Sequence, residues 1–404
     1  MKVISIVFGT RPEAIKLAPV ILSAQKIANI QSKVCVTAQH RQMLDQALEV
    51  FGITPDADLD LMKANQTLAE LTSNAIRSLD QYFSELRPDL VIVQGDTTTA
   101  FCAALGAFYQ QIPVAHVEAG LRTWNLMAPW PEEANRILIS RLATLHFAPT
   151  NTARSNLLQE GIPSERVFVT GNTVVDAVHL VRKKISVSLP EVPSLPSFLQ
   201  PKTVDGPKLV LITGHRRENF GQSFENICTA IAILAEQFPD VHFVYPVHLN
   251  PNVQEPVHRI LGHIKEHRLK DETTIGIGTD SNIHLIEPVP YPVFVALMNR
   301  SSFILTDSGG VQEESLSMGV PVLVMRESTE RPEAIAVKGA ELVGTDISRI
   351  VQYASQLLED PSIHMKMTEA ENPYGDGHAA EKIIDICKAF LDGSLDFITG
   401  HDSK

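Results

Sequence analysis

Cysteine is scarce in this chain of 404 residues, with only Cys35, Cys102, Cys228 and Cys387. They lie too far apart for a CxxC metal pair or a dense disulfide framework, which points to a reducing compartment. Long apolar runs are missing as well. Nothing approaches the roughly 20 residues of a membrane span, and the opening run Met1–Phe8 is broken by Gly9-Thr10-Arg11 before it reaches signal-peptide length. Positive charge is in deficit: 34 Lys and Arg against 47 Asp and Glu give a formal charge of −13, so neither a nucleic-acid partner nor an anionic membrane is expected. No GxGxxG follows a strand pattern, which removes the usual seat of a nicotinamide cofactor. His116 with Glu118, or His242 with His248, lack HxxxH spacing or cysteine partners, so no metal is expected. What remains is a soluble, cytoplasmic globular chain.

With 44% hydrophobic residues the chain is long enough for two full cores. Short β-branched runs alternate with helical patterns. The first series of strands reads Val3–Phe8, Lys33–Thr37, Leu90–Gln94, Val114–Glu118, His146–Ala148 and Val167–Thr170, with helices such as Leu68–Leu86 and Glu132–Thr144 between. A second series reads Leu209–Thr213, His242–Pro246, Ile283–Ile286, Phe303–Thr306 and Val320–Val324, with Ser223–Gln237 among its helices. The alternation predicts an α/β chain of two Rossmann-like, doubly wound parallel-sheet domains facing a central cleft, with ligands at the carboxyl ends of the strands. The boundaries fall at 1–182 for the first domain, 183–207 for a proline-rich linker and 208–377 for the second; a final helix in 378–404 is free to pack back on the first domain. Arg11-Pro-Glu-Ala-Ile15 recurs as Arg331-Pro-Glu-Ala-Ile335, which coincident helix starts explain.

Polar motifs sit where these strands end. In Phe303-Ile-Leu-Thr-Asp-Ser-Gly-Gly-Val-Gln-Glu-Glu314 a buried strand runs into a glycine turn and a helix whose first turn carries Glu313 and Glu314. Backbone N–H groups there suit phosphate, and a carboxylate one turn on suits ribose hydroxyls. Gly9-Thr10-Arg11-Pro12 ends the first strand, and Arg11 with Lys16 suits a diphosphate. Asp96 follows a strand in Gly95-Asp96-Thr97, Glu118 ends the next in HVEAGLR, and Glu132 opens a helix in PWPEEANR, with Pro131 at its first position. Strands about 5 Å apart bring such acids together, and neighbouring carboxylates can divide into an acid and a base. His215 in Thr213-Gly-His-Arg-Arg217 is a candidate donor to a leaving phosphate. Asp56-Ala-Asp58 and Asp58-Leu-Asp60, in a turn after Pro55, read as solvated loop acids rather than a manganese pair.

Taken in order, HVEAGLR, PWPEEANR, TGHRREN, YPVHLNP, TDSGGVQEE and TERPEAI resemble the non-hydrolysing UDP-N-acetylglucosamine 2-epimerases over nearly the whole chain. The resemblance implies the GT-B type of fold, a homodimer, no redox cofactor and no metal in the chemistry. It implies catalytic roles for Asp96, Glu118, Glu132 and His215. It also implies substrate contacts from Arg11, Lys16, Arg136, Phe294, Ser308, Gly309, Gly310, Glu314 and Arg331. A second UDP-sugar as allosteric activator would meet Gln39, Gln42, Arg216 and His248. The chain departs from the family pattern at Gln94, where histidine is common, at Asn65, at Asn125-Leu-Met-Ala128 and at Ser315-Leu316. The acids are untouched; substrate choice and activation are what these departures bear on.

The chemistry agrees with the residues. The C2 proton of an N-acetylhexosamine is barely acidic, so expulsion of the C1 diphosphate must build positive charge on the ring before C2 is deprotonated. A glycal and bound UDP result; reprotonation from the other face with return of UDP to C1 gives the manno epimer. That scheme needs an acid or base on each face and an N–H-rich cradle for the leaving group. A hydrolysing epimerase, a 2-epimerase of a UDP-diacetamido uronic acid, a GT-B glycosyltransferase and a non-catalytic nucleotide-sugar sensor are the rival readings.

Overall fold

The computed structural model describes residues 1–37, 41–61, 66–192, 194–203, 205–262 and 282–395, except the side chains of 41–43. The chain divides into one unit of Met1–Leu180 with Tyr374–Lys404 and a second of Val181–Pro373.

The first unit is built on a parallel sheet of β1 (Lys2–Phe8), β2 (Ile30–Val36), β3 (Ala57–Asp58), β4 (Leu90–Gln94), β5 (Val114–Val117), β6 (Leu145–Ala148) and β7 (Val167–Val169), in the order 3-2-1-4-5-6-7 among the described residues. In the second unit β8 (Leu209–Thr213), β9 (His242–Pro246), β10 (Ile283–Ile286), β11 (Phe303–Thr306), β12 (Val322–Val324) and β13 (Ala340–Leu342) run parallel in the order 10-9-8-11-12-13. The two parallel-sheet α/β units read from the sequence are the ones observed. Helices cover both faces of each sheet, so central strands bury every residue, as Leu90–Gln94 does, and read as unbroken apolar runs. Chain order reverses between β1 and β4 in one sheet and between β8 and β11 in the other. Such switch points open a crevice at the strands' carboxyl ends.

Several local features differ from expectation. Asp56 and Asp58 are not free loop acids: Ala57–Asp58 pairs with β2, and Asp56 accepts from Lys33 Nζ at 2.8 Å and Val34 N at 2.9 Å. The strand is two residues long and polar at one end, which leaves no periodicity to read. The proline-rich stretch read as a linker has packed residues of its own. Val192, Leu195 and Leu199 are buried, and the Gln200 amide bonds Val192 N, Val192 O and Leu195 O. Pro131 caps the helix Glu132–Leu142 instead of occupying its first turn. Helix Gly309–Leu316 begins at Gly309, so Glu313 and Glu314 stand one turn further in than expected. Both RPEAI segments do open helices, at Arg11–Ala24 and Pro332–Ala336.

The chain leaves the first unit in helix Thr173–Ile185 and returns at Tyr374, whose carbonyl accepts from Asn172 N at 2.7 Å. Asp176 then caps the last helix, Ala379–Leu391, through Ala379 N at 3.3 Å and Ala380 N at 2.8 Å. That helix packs on Arg11–Ala24.

Candidate active site

In the first unit the polar residues gather at the switch point between β1 and β4. Gly9 ends β1 with Thr37 and Thr99 against it; a Cβ there would run into both hydroxyls. Glu13, one turn into the next helix, is buried and accepts from Gly9 N at 3.1 Å, Thr10 N at 2.8 Å, Thr10 Oγ1 at 2.7 Å and Thr97 Oγ1 at 2.7 Å. Burial pushes its carboxyl up and these four donors pull against it. Glu13 thereby ties the turn after β1 to the turn after β4. Arg11, half-buried, is the first residue of its helix.

Glu118 follows β5 with φ +63, a conformation that a non-glycine residue keeps only when its surroundings hold it there. They do. Lys16 Nζ lies 2.5 Å from Oε1, Asn172 Nδ2 donates to the same oxygen at 2.9 Å, and the Gln94 amide donates to Oε2. With 8% of its surface exposed, Glu118 is a buried carboxylate in a cage of one cation and two amides. Lys16 is thus committed to an acid, not presented bare to an anion.

Asp96 follows β4, but Thr97 is the N-cap of the next helix, accepting from Ala100 N at 3.0 Å. Freed from capping, Asp96 keeps its side chain 26% exposed. Arg136 approaches its Oδ2 with Nε at 2.8 Å and a terminal nitrogen at 2.7 Å. The same guanidinium donates to Glu133 Oε2 at 2.9 Å. Glu133, fully buried, accepts on its other oxygen from Thr123 N and Trp124 N, both at 3.0 Å. Burial disfavours the Arg136 charge, yet Asp96 and Glu133 outweigh it and hold the guanidinium above its ordinary range. Arg136, expected to touch substrate, is paired with two carboxylates. Glu132 is half-buried at the helix start, adjacent to this network.

His116 sits in β5 beside His146 of β6. Its Nε2 is 2.8 Å from the Gly95 carbonyl. Burial lowers the two rings to about 4 and about 3, so both are neutral near pH 7 and His116 donates to the turn that carries Asp96.

The second unit repeats the arrangement at the β8–β11 switch point. Gly214, His215 and Arg216 follow β8, and the fully buried Asp307 follows β11. Asp307 Oδ2 accepts from His215 N and Arg216 N, each at 2.8 Å, and from Asn219 Nδ2 at 3.3 Å. The His215 ring, partly exposed, stacks on His248 at 5.2 Å and 13°. Next comes Ser308, then Gly309 and Gly310 opening a helix. The Arg331 guanidinium lies against Gly309 and pairs with Glu313 at 2.8 Å and Glu330 at 2.6 Å. Arg326 joins at 2.7 Å from Glu330 and 2.5 Å from Glu218. Burial works against the Glu330 charge, but Arg331 and Arg326 prevail and hold its carboxyl far below the usual range. Glu314 accepts from Tyr291 Oη at 3.0 Å, and Phe294 is half-buried one turn along the Tyr291–Arg300 helix.

Of the sequence-derived candidates, Lys16 meets Glu118 and Arg136 meets Asp96 in the first unit, and Arg331 meets Gly309 in the second. Arg216 and His248 lie on adjacent turns of the second unit; Gln39 and the Gln42 side chain fall outside the described residues. The sequence reading missed Gln94 and Asn172 as the holders of Glu118, Glu133 as the anchor of Arg136, and Asp307. Asp307 could have been found, since a lone acid closing an apolar strand is the signal that marked Glu118. No group of three or more His, Cys, Asp or Glu is arranged for a metal among the described residues.

The family model described as UDP-N-acetylglucosamine 2-epimerase matches residues 22–388. The UDP-N-acetylglucosamine 2-epimerase of Salmonella typhimurium is 51% identical over 393 residues, covering 96% of this chain and 99% of that protein. Its Escherichia coli K12 counterpart is 51% identical over 391 residues, 96% of this chain and 98% of that protein. The crystal structure of UDP-GlcNAc 2-epimerase from Neisseria meningitidis bound to UDP-GlcNAc superposes with a TM-score of 0.85 at 49% identity, covering 96% of this chain and all (100%) of that one.

Proposed function

Because the chain belongs to the UDP-N-acetylglucosamine 2-epimerase family, we propose that it interconverts UDP-N-acetylglucosamine and UDP-N-acetylmannosamine by inverting C2. The C1–oxygen bond breaks, its electron pair leaving with UDP, and a base removes the C2 proton to give a 2-acetamidoglucal. A proton then returns to the opposite face of C2, and the β-phosphate oxygen of UDP re-attacks C1.

The observation that carries this reading is the Glu118 cage. A buried carboxylate, strained in its backbone and matched by one lysine, is costly to keep for packing alone. Lys16 and the two amides hold it in place and aimed, as a base at C2 requires. Asp96, half-open and held by Arg136, suits the second proton position, with Glu132 beside the same helix start. In the second unit the Ser308 hydroxyl and the N–H groups of Gly309 and Gly310, with Arg331, suit the diphosphate, Glu314 the ribose and Phe294 the uracil.

The finer assignments are part of the same proposal. The enzyme is a cytoplasmic homodimer, and exposed Phe108, Tyr109 and Leu138 are the sort of surface a subunit contact covers. A second UDP-sugar acting as activator would engage Arg216 and His248. Proton NMR of UDP-N-acetylglucosamine with the protein in deuterated buffer tests the reaction. A manno anomeric signal with deuterium at C2 of both epimers and UDP attached is the expected result. Free UDP with N-acetylmannosamine would move the reading to a hydrolysing epimerase, and neither product nor deuterium would overturn it in favour of a uronic-acid substrate or a transferase.

A further inference from the structure

Asp307 has one crowded oxygen and one empty one. Oδ2 accepts three hydrogen bonds. Oδ1 is equally buried, accepts none from the described residues, and faces His215 Nδ1 at 3.8 Å. A buried acceptor left unmet is unfavourable, the more so on an ionised group. The backbone N–H bonds to Oδ2 hold both the carboxylate and the start of the His215 turn, so the empty oxygen is aimed by construction. On its other side the imidazole is stacked on His248, which fixes the ring plane.

We infer that Asp307 is a positioning residue for His215, fixing the ring with its proton on Nδ1 and stabilising the imidazolium that meets the leaving diphosphate. The inference rests on the epimerase reading for the step His215 serves, but not for the pair itself. The groups bearing on the ring are Asp307 from the turn after β11, His248 from the turn after β9, and Arg216 from its own turn, with Arg217 and Glu218 next along the chain. Burial, His248 and Arg216 disfavour the charged ring, and Asp307 opposes them. The resting ring is therefore neutral, with Nδ1–H toward Asp307 and Nε2 outward. Arrival of the diphosphate adds negative charge on the outer side, the partly exposed ring takes a proton from solvent at Nε2, and the buried carboxylate balances it. The Nε2–H then donates to the departing β-phosphate oxygen.

Long-range ¹H–¹⁵N NMR of the full-length wild-type protein reads the tautomer directly. Nδ1–H in the neutral ring is expected, and Nε2–H would overturn the inference. Asp307→Asn keeps an oxygen for the three donors and turns its amide toward His215. The His215 pKa should then fall by about one unit or more, and the high-pH limb of turnover should move down with it. An unmoved His215 pKa in folded Asp307→Asn protein would overturn the assignment. Should that variant fail to fold, the wild-type tautomer still decides. In a His215→Asn background, adding Asp307→Asn should change turnover by less than about twofold; fully additive losses would show that Asp307 only supports the turn. Nδ1–H without deuterium entry at C2 would preserve the pair and discard the epimerase reading, so the two failures are distinct.

Discussion

After β4 the chain presents Gly95-Asp96, and after β11 it presents Asp307-Ser308; each turn lies beside the strand-order reversal of its own sheet. The two acids are used in opposite ways. In the first unit the acids Asp96 and Glu118 are the held groups, and Lys16, Arg136 and the amides of Gln94 and Asn172 hold them. In the second unit acids do the holding: Asp307 grips two backbone N–H groups, and Glu313 and Glu330 grip Arg331. One topology thus carries two differently built polar turns, although acids are buried in both. The histidine pairs follow the same division. His116 and His146 are buried and neutral, whereas His215 and His248 stack near the surface.

The comparison is most sharply tested at Glu118. Glu118→Gln should lower C2 deuterium exchange by about 10²- to 10⁴-fold while leaving UDP affinity, by calorimetry, within about twofold; equal losses in both would erase the division of labour. Next is Glu133→Ala, which leaves the buried Arg136 with Asp96 alone and takes the acceptor from the Thr123 and Trp124 N–H groups. Urea unfolding should show about 3–5 kcal/mol of lost stability, and a loss below 1 kcal/mol would mean that the Glu133 anchor is dispensable.

The buried histidines predict a pH dependence. Their folded pKa values lie below the unfolded value near 6.5, so the unfolded chain binds more protons and stability falls as pH drops from about 6.5 toward 4. For His116 the gap from 6.5 to about 4 corresponds to about 3 kcal/mol. His116→Gln, which keeps a donor for the Gly95 carbonyl, should flatten that slope in urea titrations at pH 4 to 7. The smallest effect is expected at Gly310, where a Cβ would meet nothing within 4 Å. Gly310→Ala should hold or slightly raise the melting temperature, since alanine favours a helix, yet weaken UDP binding about tenfold if phosphate packs there. Unchanged affinity would remove Gly310 from the cradle.

Most of this architecture was legible because central parallel strands are apolar on both sides: Leu90–Gln94 and Phe303–Thr306 begin and end where their sequence runs do. The edges were not. Ala57–Asp58 and Ala340–Leu342 are short and half-polar, and only their neighbours make them strands. The acids were legible as polar residues closing apolar runs. Their partners were not, because Asn172 reaches Glu118 across 54 positions and His215 reaches Asp307 across 92, separations at which no local pattern operates. Lys16 and Arg136 look like free cations in sequence, and only the fold shows which acids they serve.

The return of the chain to the first unit at Tyr374 bears on synthesis. Asp176 leaves the ribosome early, but the backbone it caps, at Ala379 and Ala380, follows about 200 residues later. At ordinary elongation rates that is a wait of roughly 10 to 40 s. Throughout it the surface of helix Arg11–Ala24 that meets the last helix stays uncovered, while the whole second unit emerges. The nascent first unit therefore keeps that helix surface uncovered for about half of translation, and a ribosome stalled before residue 379 leaves it unfinished with the acids already made.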